Sequence, residues 1–125
     1  MIRRRIMGIV AIFCFTLSAN LIPAPAEAET GTITLTAKLT IKEGKEKEFE
    51  ALMKEVVPKV RQEEGNLAYT MCRSKENPRV FLFFEEYRDQ AAIQAHGKHL
   101  GELGIDFSAF LDGPVVAEYY DKIAE

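Results

Sequence analysis

The stretch Arg79-Val80-Phe81-Leu82-Phe83-Phe84-Glu85-Glu86-Tyr87, residues 79–87, decides the fold. Large apolar side chains occupy both faces of the strand that this stretch predicts. One row contains Val80, Leu82 and Phe84, and the other contains Phe81, Phe83, Glu85 and Tyr87. Strands with apolar groups on both sides are usually buried on both sides. We therefore expect one face to pack against helices and the other to meet a ligand pocket or a partner subunit.

Two strands and a helix are predicted upstream of this stretch. Residues 33–41 alternate apolar side chains with Thr and Lys, the period of a half-buried strand. A helix is predicted over the next segment, whose apolar residues recur at helical spacing: Phe49, Leu52, Met53, Val56 and Val60. Pro58 should kink or loosen its last turns, and Gly65 should end it. Residues 66–73 read as a strand with Leu67, Tyr69 and Met71 on one face.

A helix and a final strand are predicted downstream. Asp89 is suited to cap a helix that starts near Ala91. We expect this helix to be interrupted at 96–99 and followed by a second helical piece with the apolar set Leu100, Leu103, Phe107, Phe110 and Leu111. The last strand should span 115–123. The order β-α-β-β-α-β predicts an α+β, ferredoxin-like fold, a four-stranded antiparallel sheet with helices on one face.

The N-terminus resembles a secretory signal. Arg3, Arg4 and Arg5 precede an apolar run at 6–17, and Ala24-Pro25-Ala26 forms a small-x-small cleavage site. A second site, Ala26-Glu27-Ala28, lies two residues later. We assign 1–26 to a signal peptide, 27–31 to a flexible lead and 32–123 to the domain. This predicts a periplasmic or secreted protein with no membrane association after cleavage.

The charge of the mature part limits its partners. Three of the 16 basic residues lie before residue 27, whereas all 19 acidic residues lie after residue 26, which leaves a formal charge of −6. This disfavours nucleic acid and anionic membranes, because both need a basic surface. A domain of roughly 100 residues is also marginally stable alone and gains from oligomerising.

Several short motifs together resemble one known family. They are Glu63-Glu64-Gly65, the segment 83–89, Ala95-His96 with His99, and Gly113-Pro114. In this order they are similar to the antibiotic biosynthesis monooxygenase (ABM) domain, over about residues 32–123. The quinol monooxygenase and autoinducer-2-processing isomerase branches look closest.

The resemblance implies a homodimer whose sheets pack face to face in an α/β barrel-type assembly. It also implies cofactor-free oxidation of quinols or polyketide phenols, isomerisation of small phosphorylated carbohydrates, or haem degradation. The chain departs from the family in its short spacing between the two histidines. Haem degradation is disfavoured, because Ala37 stands where those members have Asn and the chain has no Trp.

His96 and His99 are the only histidines, and either could be a general base that takes a phenolic proton. Both could equally be surface residues without a catalytic role. A metal site is not expected, since only Glu102 or Asp106 could join the two imidazoles as ligands.

Glu85 is the third catalytic candidate, because a buried carboxylate beside aromatic groups could orient a histidine or bind a substrate hydroxyl. A salt bridge with Arg73 or Arg79 is the alternative role. Four residues are candidate substrate contacts: Tyr69, Asn66, Phe83 and Tyr87. Tyr69 could instead be a core residue, and Asn66 a turn residue.

The resemblance, together with paired histidines next to an aromatic-rich strand, implies an exported monooxygenase that acts on a small quinol or phenol with O2 and needs no cofactor. The alternatives are a non-catalytic protein that binds a small ligand, and an isomerase of a small carbohydrate-derived metabolite. A phosphorylated substrate would need cations, for which Lys98, Arg73 and Arg88 are the candidates.

Overall fold

A computed structural model describes residues 31–125, which form one antiparallel sheet with two helices. The elements in chain order are β1 (Ile33–Thr40), α1 (Glu46–Val60), β2 (Asn66–Arg73), β3 (Val80–Tyr87), α2 (Gln90–Glu102) and β4 (Val116–Tyr120). This order confirms the predicted ferredoxin-like α+β fold. The predicted signal peptide, and all of the predicted lead except Gly31, lie outside the described residues.

The sheet has the strand order β2-β3-β1-β4, so β3 and β1 lie at its centre. The main core forms where α1 packs on one face of these strands. Phe49 of α1 is fully buried, with its ring centroid 5.1 Å from that of Phe81 and 5.6 Å from that of Phe110. Burial of such rings is the main source of stability in a domain of this size.

The two rows of β3 have different environments. Phe81, Phe83, Glu85 and Tyr87 are buried on the side that carries the helices. Leu82 and Phe84 lie on the opposite side and are 37% and 38% exposed. Within residues 31–125, therefore, the second apolar face of the sheet is not covered.

The helix α2 is continuous from Gln90 to Glu102, so the predicted interruption at 96–99 is wrong. Gly97 lowers helix propensity by about 1 kcal/mol relative to Ala, but it does not change the backbone conformation here. The Asp89 side chain accepts a hydrogen bond from the backbone N–H of Ala92 at 2.9 Å, which confirms the predicted cap. Packing of Ala92 and His96 against the sheet also supports the helix.

The second predicted helical piece is reduced to one 3₁₀ turn at Phe107–Ala109. Gly104 has φ +69°, a conformation that glycine adopts without strain, and it follows Leu103, the C-cap residue of α2. Glycine in this position is the usual end of a helix, which the periodicity of the apolar residues did not reveal. The predicted apolar set after residue 99 nevertheless packs against the main core.

Three smaller differences concern the other elements. The helix α1 continues through Pro58 to Val60. Leu67 is exposed, because the pairing of β2 with β3 shifts register between Asn66 and Ala68. The strand β4 is shorter than predicted, because Tyr120 already pairs with Thr34 near the start of β1. Within 31–125, no helix combines the length and the apolar character needed to cross a membrane.

Candidate functional site

A cavity of about 170 Å³ lies between the sheet and α2. Its walls come from all the main elements except α1 and β4. The lining residues are Ala37, Leu39, Tyr69, Phe83, Glu85, His96, Leu100, Phe107 and Val115. Among the described residues that line it, Tyr69, Glu85 and His96 are the ones with polar side chains. A concave, apolar site with a few polar groups is the usual form of a small-molecule site.

His96 is the imidazole of this cavity. Its ring lies between two tyrosine rings, with centroid distances of 5.4 Å to Tyr69 and 5.3 Å to Tyr87. Its Nδ1 lies 3.1 Å from both carboxylate oxygens of Glu63. Because a carboxylate only accepts hydrogen bonds, Nδ1 carries the proton and donates to Glu63. In the neutral ring, Nε2 is then left as the acceptor for a ligand.

His99 lies one helical turn further along α2 and binds the same carboxylate. Its Nδ1 is 2.6 Å from Oε1 of Glu63. The side chain of His99 is 29% exposed, whereas that of His96 is 10% exposed. His99 does not line the cavity, so it is the solvent-side member of the pair.

Glu63 joins the two histidines, and the sequence did not single it out as a site residue. It lies in the turn after α1, whose backbone is held by hydrogen bonds from Glu63 to Val60 and from Asn66 to Glu63. The motif Glu63-Glu64-Gly65 contains this residue, but we interpreted the motif only as a turn similar to that of the family. Its proximity to α2 depends on the tertiary fold, since 33 residues separate Glu63 from His96.

Gly65 allows this turn to approach α2. A Cβ atom at position 65 would lie 2.2 Å from the Cβ of Ala92, which is a severe overlap. The φ angle of Gly65 is not positive, so close packing and not backbone conformation requires glycine here. The backbone N–H of Arg88 also donates to the carbonyl of Gly65 at 2.9 Å, which ties the turn to the end of β3.

Glu85 is buried in the cavity wall, and within residues 31–125 it forms no ion pair with Lys or Arg. Arg73 pairs with Glu50, and Arg79 pairs with Asp112, so the alternative of a salt bridge to Glu85 is wrong. The Tyr87 hydroxyl donates to Oε2 of Glu85 at 2.7 Å. Burial raises the pKa of Glu85, and the hydrogen bond from Tyr87 offsets only part of this effect. Burial thus disfavours the charged form of this carboxyl group.

The four predicted substrate contacts fall in different places. Tyr69 and Phe83 line the cavity. Tyr87 is fully buried and does not line the cavity, but it contacts two residues that do, Glu85 through its hydroxyl and His96 through its ring. Asn66 does not line the cavity; its side-chain amide donates to the carbonyls of Ala68 and Glu86. Burial, together with the nearby acid Glu85, raises the pKa of Tyr69 and of Tyr87, so both phenols stay protonated.

The residues considered as further metal ligands do not join the two imidazoles. Glu102 pairs with Lys98 at 3.7 Å, and Asp106 accepts from the backbone N–H of Ser108 at 3.0 Å. Over residues 31–125 no group of three or more His, Cys, Asp or Glu side chains is arranged to hold a metal ion. Glu63 thus acts as a hydrogen-bond acceptor for both rings.

Comparison with known proteins shows which family the chain belongs to. The model of the antibiotic biosynthesis monooxygenase family matches residues 32–101. An uncharacterized protein of Synechocystis sp. is 30% identical over 101 residues, which cover 77% of this chain and 68% of that protein.

Solved structures agree with this result. A proposed antibiotic biosynthesis monooxygenase from Caulobacter crescentus superposes with a TM-score of 0.69 at 29% identity, over 78% of this chain and 95% of that one. A Pseudomonas aeruginosa protein superposes with a TM-score of 0.68 at 25% identity, over 75% of this chain and 96% of that one. The chain belongs to the antibiotic biosynthesis monooxygenase family.

Proposed function

We propose that the mature chain is an exported, cofactor-independent monooxygenase that oxidises a small quinol or phenol with O2. The observation that carries this proposal is the position of His96, whose ring lines an apolar cavity while its Nδ1 contacts the carboxylate of Glu63. A neutral imidazole oriented in this way is a suitable base for a phenolic proton. Membership of the family supports oxygen chemistry at this site.

The first step is removal of a hydroxyl proton. The substrate O–H donates to Nε2 of His96 and transfers its proton there. The ring becomes an imidazolium, and the carboxylate of Glu63 stabilises that charge from the opposite side. This is the role that a carboxylate has behind a catalytic histidine in general, where it fixes the tautomer and the orientation of the ring.

The second step is electron transfer to oxygen. For a quinol, the balanced reaction is quinol plus O2 giving hydroxyquinone plus water. The electron-rich anion forms a C–O bond with O2, and the O–O bond then breaks. One oxygen atom stays on the ring, and the other leaves as water with two hydrogens from the substrate. The four electrons that reduce O2 come from the quinol, and His96 returns its proton to the leaving oxygen.

Glu85 supplies the second polar contact in this proposal. A carboxylic acid that an apolar site keeps neutral can donate a hydrogen bond to an oxyanion. Glu85 lines the cavity and accepts from Tyr87 only at Oε2, and burial shifts its pKa in the direction that favours the acid form. The remaining oxygen can donate to the phenolate that His96 creates. Because the other cavity walls are apolar, little water competes for these contacts.

The test compares two adjacent glutamates in an oxygen-electrode assay with a panel of quinols. Glu63→Gln removes the charge behind His96 and should lower kcat/KM by roughly 10²–10⁴-fold. Glu64→Gln is the matched control; this side chain is 91% exposed and contacts Arg88, so the rate should not change. Oxygen consumption no faster than autoxidation, or equal rates for the two variants, would contradict the proposal. A bound but unmodified ligand in native mass spectrometry would support a binding protein.

The isomerase alternative receives no support from the cations that it would need. Arg73 pairs with Glu50 at 2.7 Å, Arg88 pairs with Glu64 at 3.4 Å, and Lys98 pairs with Glu102. None of the three cations lines the cavity. A phosphate group in the cavity would meet the buried acid Glu85, and in the part of the chain that the structure describes no Arg or Lys lines the cavity to offset the charge. We therefore favour a neutral aromatic substrate.

Export and dimerisation belong to the same proposal. N-terminal sequencing of protein from the periplasm or medium should give Glu27 or Glu29 as the first residue; an unprocessed cytoplasmic chain would contradict export.

For the dimer, the uncovered sheet face presents Leu82 and Phe84. Phe84→Glu should convert a dimer to a monomer in analytical ultracentrifugation, because it places a charge in the buried interface. A monomeric wild-type chain at micromolar concentration would refute the dimer.

A further inference from the structure

We propose that this cavity admits one aromatic ring only, and that Ala37 and Leu100 set this limit, so that the substrate is a monocyclic phenol or quinol and not a fused-ring phenol. The inference rests on the proposed function for the identity of the reaction. It concerns the size and chemistry of the ligand, which binding alone can measure.

The volume supports a single ring. The cavity measures about 170 Å³, and an apolar protein cavity of about 150 Å³ is known to hold one benzene molecule. The space is therefore filled by one six-membered ring with a hydroxyl group. A second fused ring would have to displace a wall or remain outside.

The wall formed by the sheet is less able to move than the wall formed by α2. Ala37 lies on the central strand β1, paired with Phe83 of β3 on one side and Ala117 of β4 on the other. This wall is fixed by the sheet, and its small side chain leaves the space that the ring needs. Leu100 lies on α2 and packs against the main core, so it closes the space from the helix side.

The polar groups of the cavity explain why the bound ring should carry a hydroxyl group. His96 can accept a proton from a hydroxyl, and Glu85 can donate to the resulting oxygen. Val115 is 44% exposed and marks the side on which the cavity opens to solvent. A ring substituent can extend past Val115 without a change in the walls, whereas a fused ring near His96 cannot.

The experiment measures equilibrium binding by calorimetry under argon, so that no oxidation occurs. The probes are phenol and 1-naphthol. Burial of apolar area alone would favour 1-naphthol, since affinity rises with the area removed from water. A limit set by size reverses this order. We expect the wild-type protein to bind phenol at least tenfold more tightly than 1-naphthol.

Two variants should change ligand binding in different ways. Leu100→Ala enlarges the cavity and should shift the affinity ratio at least tenfold toward 1-naphthol. Ala37→Val fills the cavity from the fixed wall and should weaken phenol binding at least tenfold; valine suits a strand, so this variant should fold. Leu52→Ala is the matched control, because Leu52 packs against the main core but does not line the cavity.

The inference is overturned if wild type binds 1-naphthol as tightly as phenol or binds neither probe. It is also overturned if Leu52→Ala changes the ratio as much as Leu100→Ala does. Should Leu100→Ala fail to fold, an unchanged phenol affinity in Ala37→Val overturns it alone. Size-selective binding of phenol by a protein that consumes no oxygen with the quinol panel would confirm the size limit and contradict the proposed function, so the two failures are distinguishable.

Discussion

Gly65→Ala tests whether close packing of one turn against α2 builds the site. The added Cβ would lie 2.2 Å from the Cβ of Ala92, whereas ordinary contact begins near 3.4 Å. Either the turn or the helix must therefore move by roughly 1.2 Å, the difference between these two distances. Glu63 lies on the turn and His96 on the helix, so this movement separates the acceptor from its donor.

The magnitude follows from the same geometry. Overpacking of this kind destabilises a domain by about 1–3 kcal/mol. For a domain of this size, each kcal/mol lowers Tm by about 4–8 °C. The contacts of His96 Nδ1 with Glu63 are already 3.1 Å long, and a further separation of about 1 Å would place them beyond hydrogen-bond range. Activity should then fall together with stability.

The assay is thermal and urea unfolding of Gly65→Ala, Ala92→Gly and the double variant. Ala92→Gly removes the atom that the new methyl group meets, at a cost of about 1 kcal/mol of helix propensity. The double variant should lose at least about 0.5 kcal/mol less than the sum of the single losses. Gly97→Ala is the control: nothing lies within 4 Å of its added Cβ, so it should stabilise α2. Additive losses, or a Gly65→Ala protein as stable as wild type, would refute the reasoning.

Three further predictions concern groups around the site. Burial raises the pKa of Glu85 above its ordinary 4.5, so its protonated form stabilises the fold at low pH and this contribution is lost as pH rises through the raised pKa. Relative to wild type, Glu85→Gln should therefore gain stability as pH rises above 4.5. If the free energies of unfolding of the two proteins changed equally with pH, this prediction would be contradicted. Tyr87→Phe leaves Oε2 of Glu85 without its donor and should lower the free energy of unfolding by about 1–3 kcal/mol; a loss below about 0.3 kcal/mol in urea titrations would argue against the bond. Asp89→Ala removes the cap of α2 and should destabilise by about 0.5–2 kcal/mol, with Asp89→Asn close to wild type; equal losses for both would count against capping.

The fold was predictable because its strongest signals are local. The alternation in β1 and the helical spacing in α1 identify the elements and their buried faces without knowledge of their neighbours. The boundaries near α2 were less predictable. Gly97 and Gly104 look alike in the sequence, yet Gly97 lies inside α2, whereas Gly104 has φ +69° and follows the C-cap residue Leu103.

The site was predictable only in part, because its residues come from distant parts of the chain. His96, Glu85 and Tyr69 were selected for their chemistry and do line one cavity. Glu63 was missed, since a carboxylate in a charged turn has no property that distinguishes it from Glu64 beside it. The two differ only in the fold, where Glu63 points to α2 and Glu64 to solvent.

The continuity of α2 explains why one carboxylate can serve two imidazoles. Residues three apart on a helix lie on neighbouring positions of the same face, so His96 and His99 can both reach Glu63 only if the backbone between them stays helical. A break at Gly97 would have left His99 on a separate segment and Glu63 with one partner. The loop that carries Glu63 is held in place by the close approach of Gly65 to Ala92, which lies four residues before His96 on α2. The two glycines therefore differ: Gly65 must remain without a side chain, whereas at position 97 the helix has room for one.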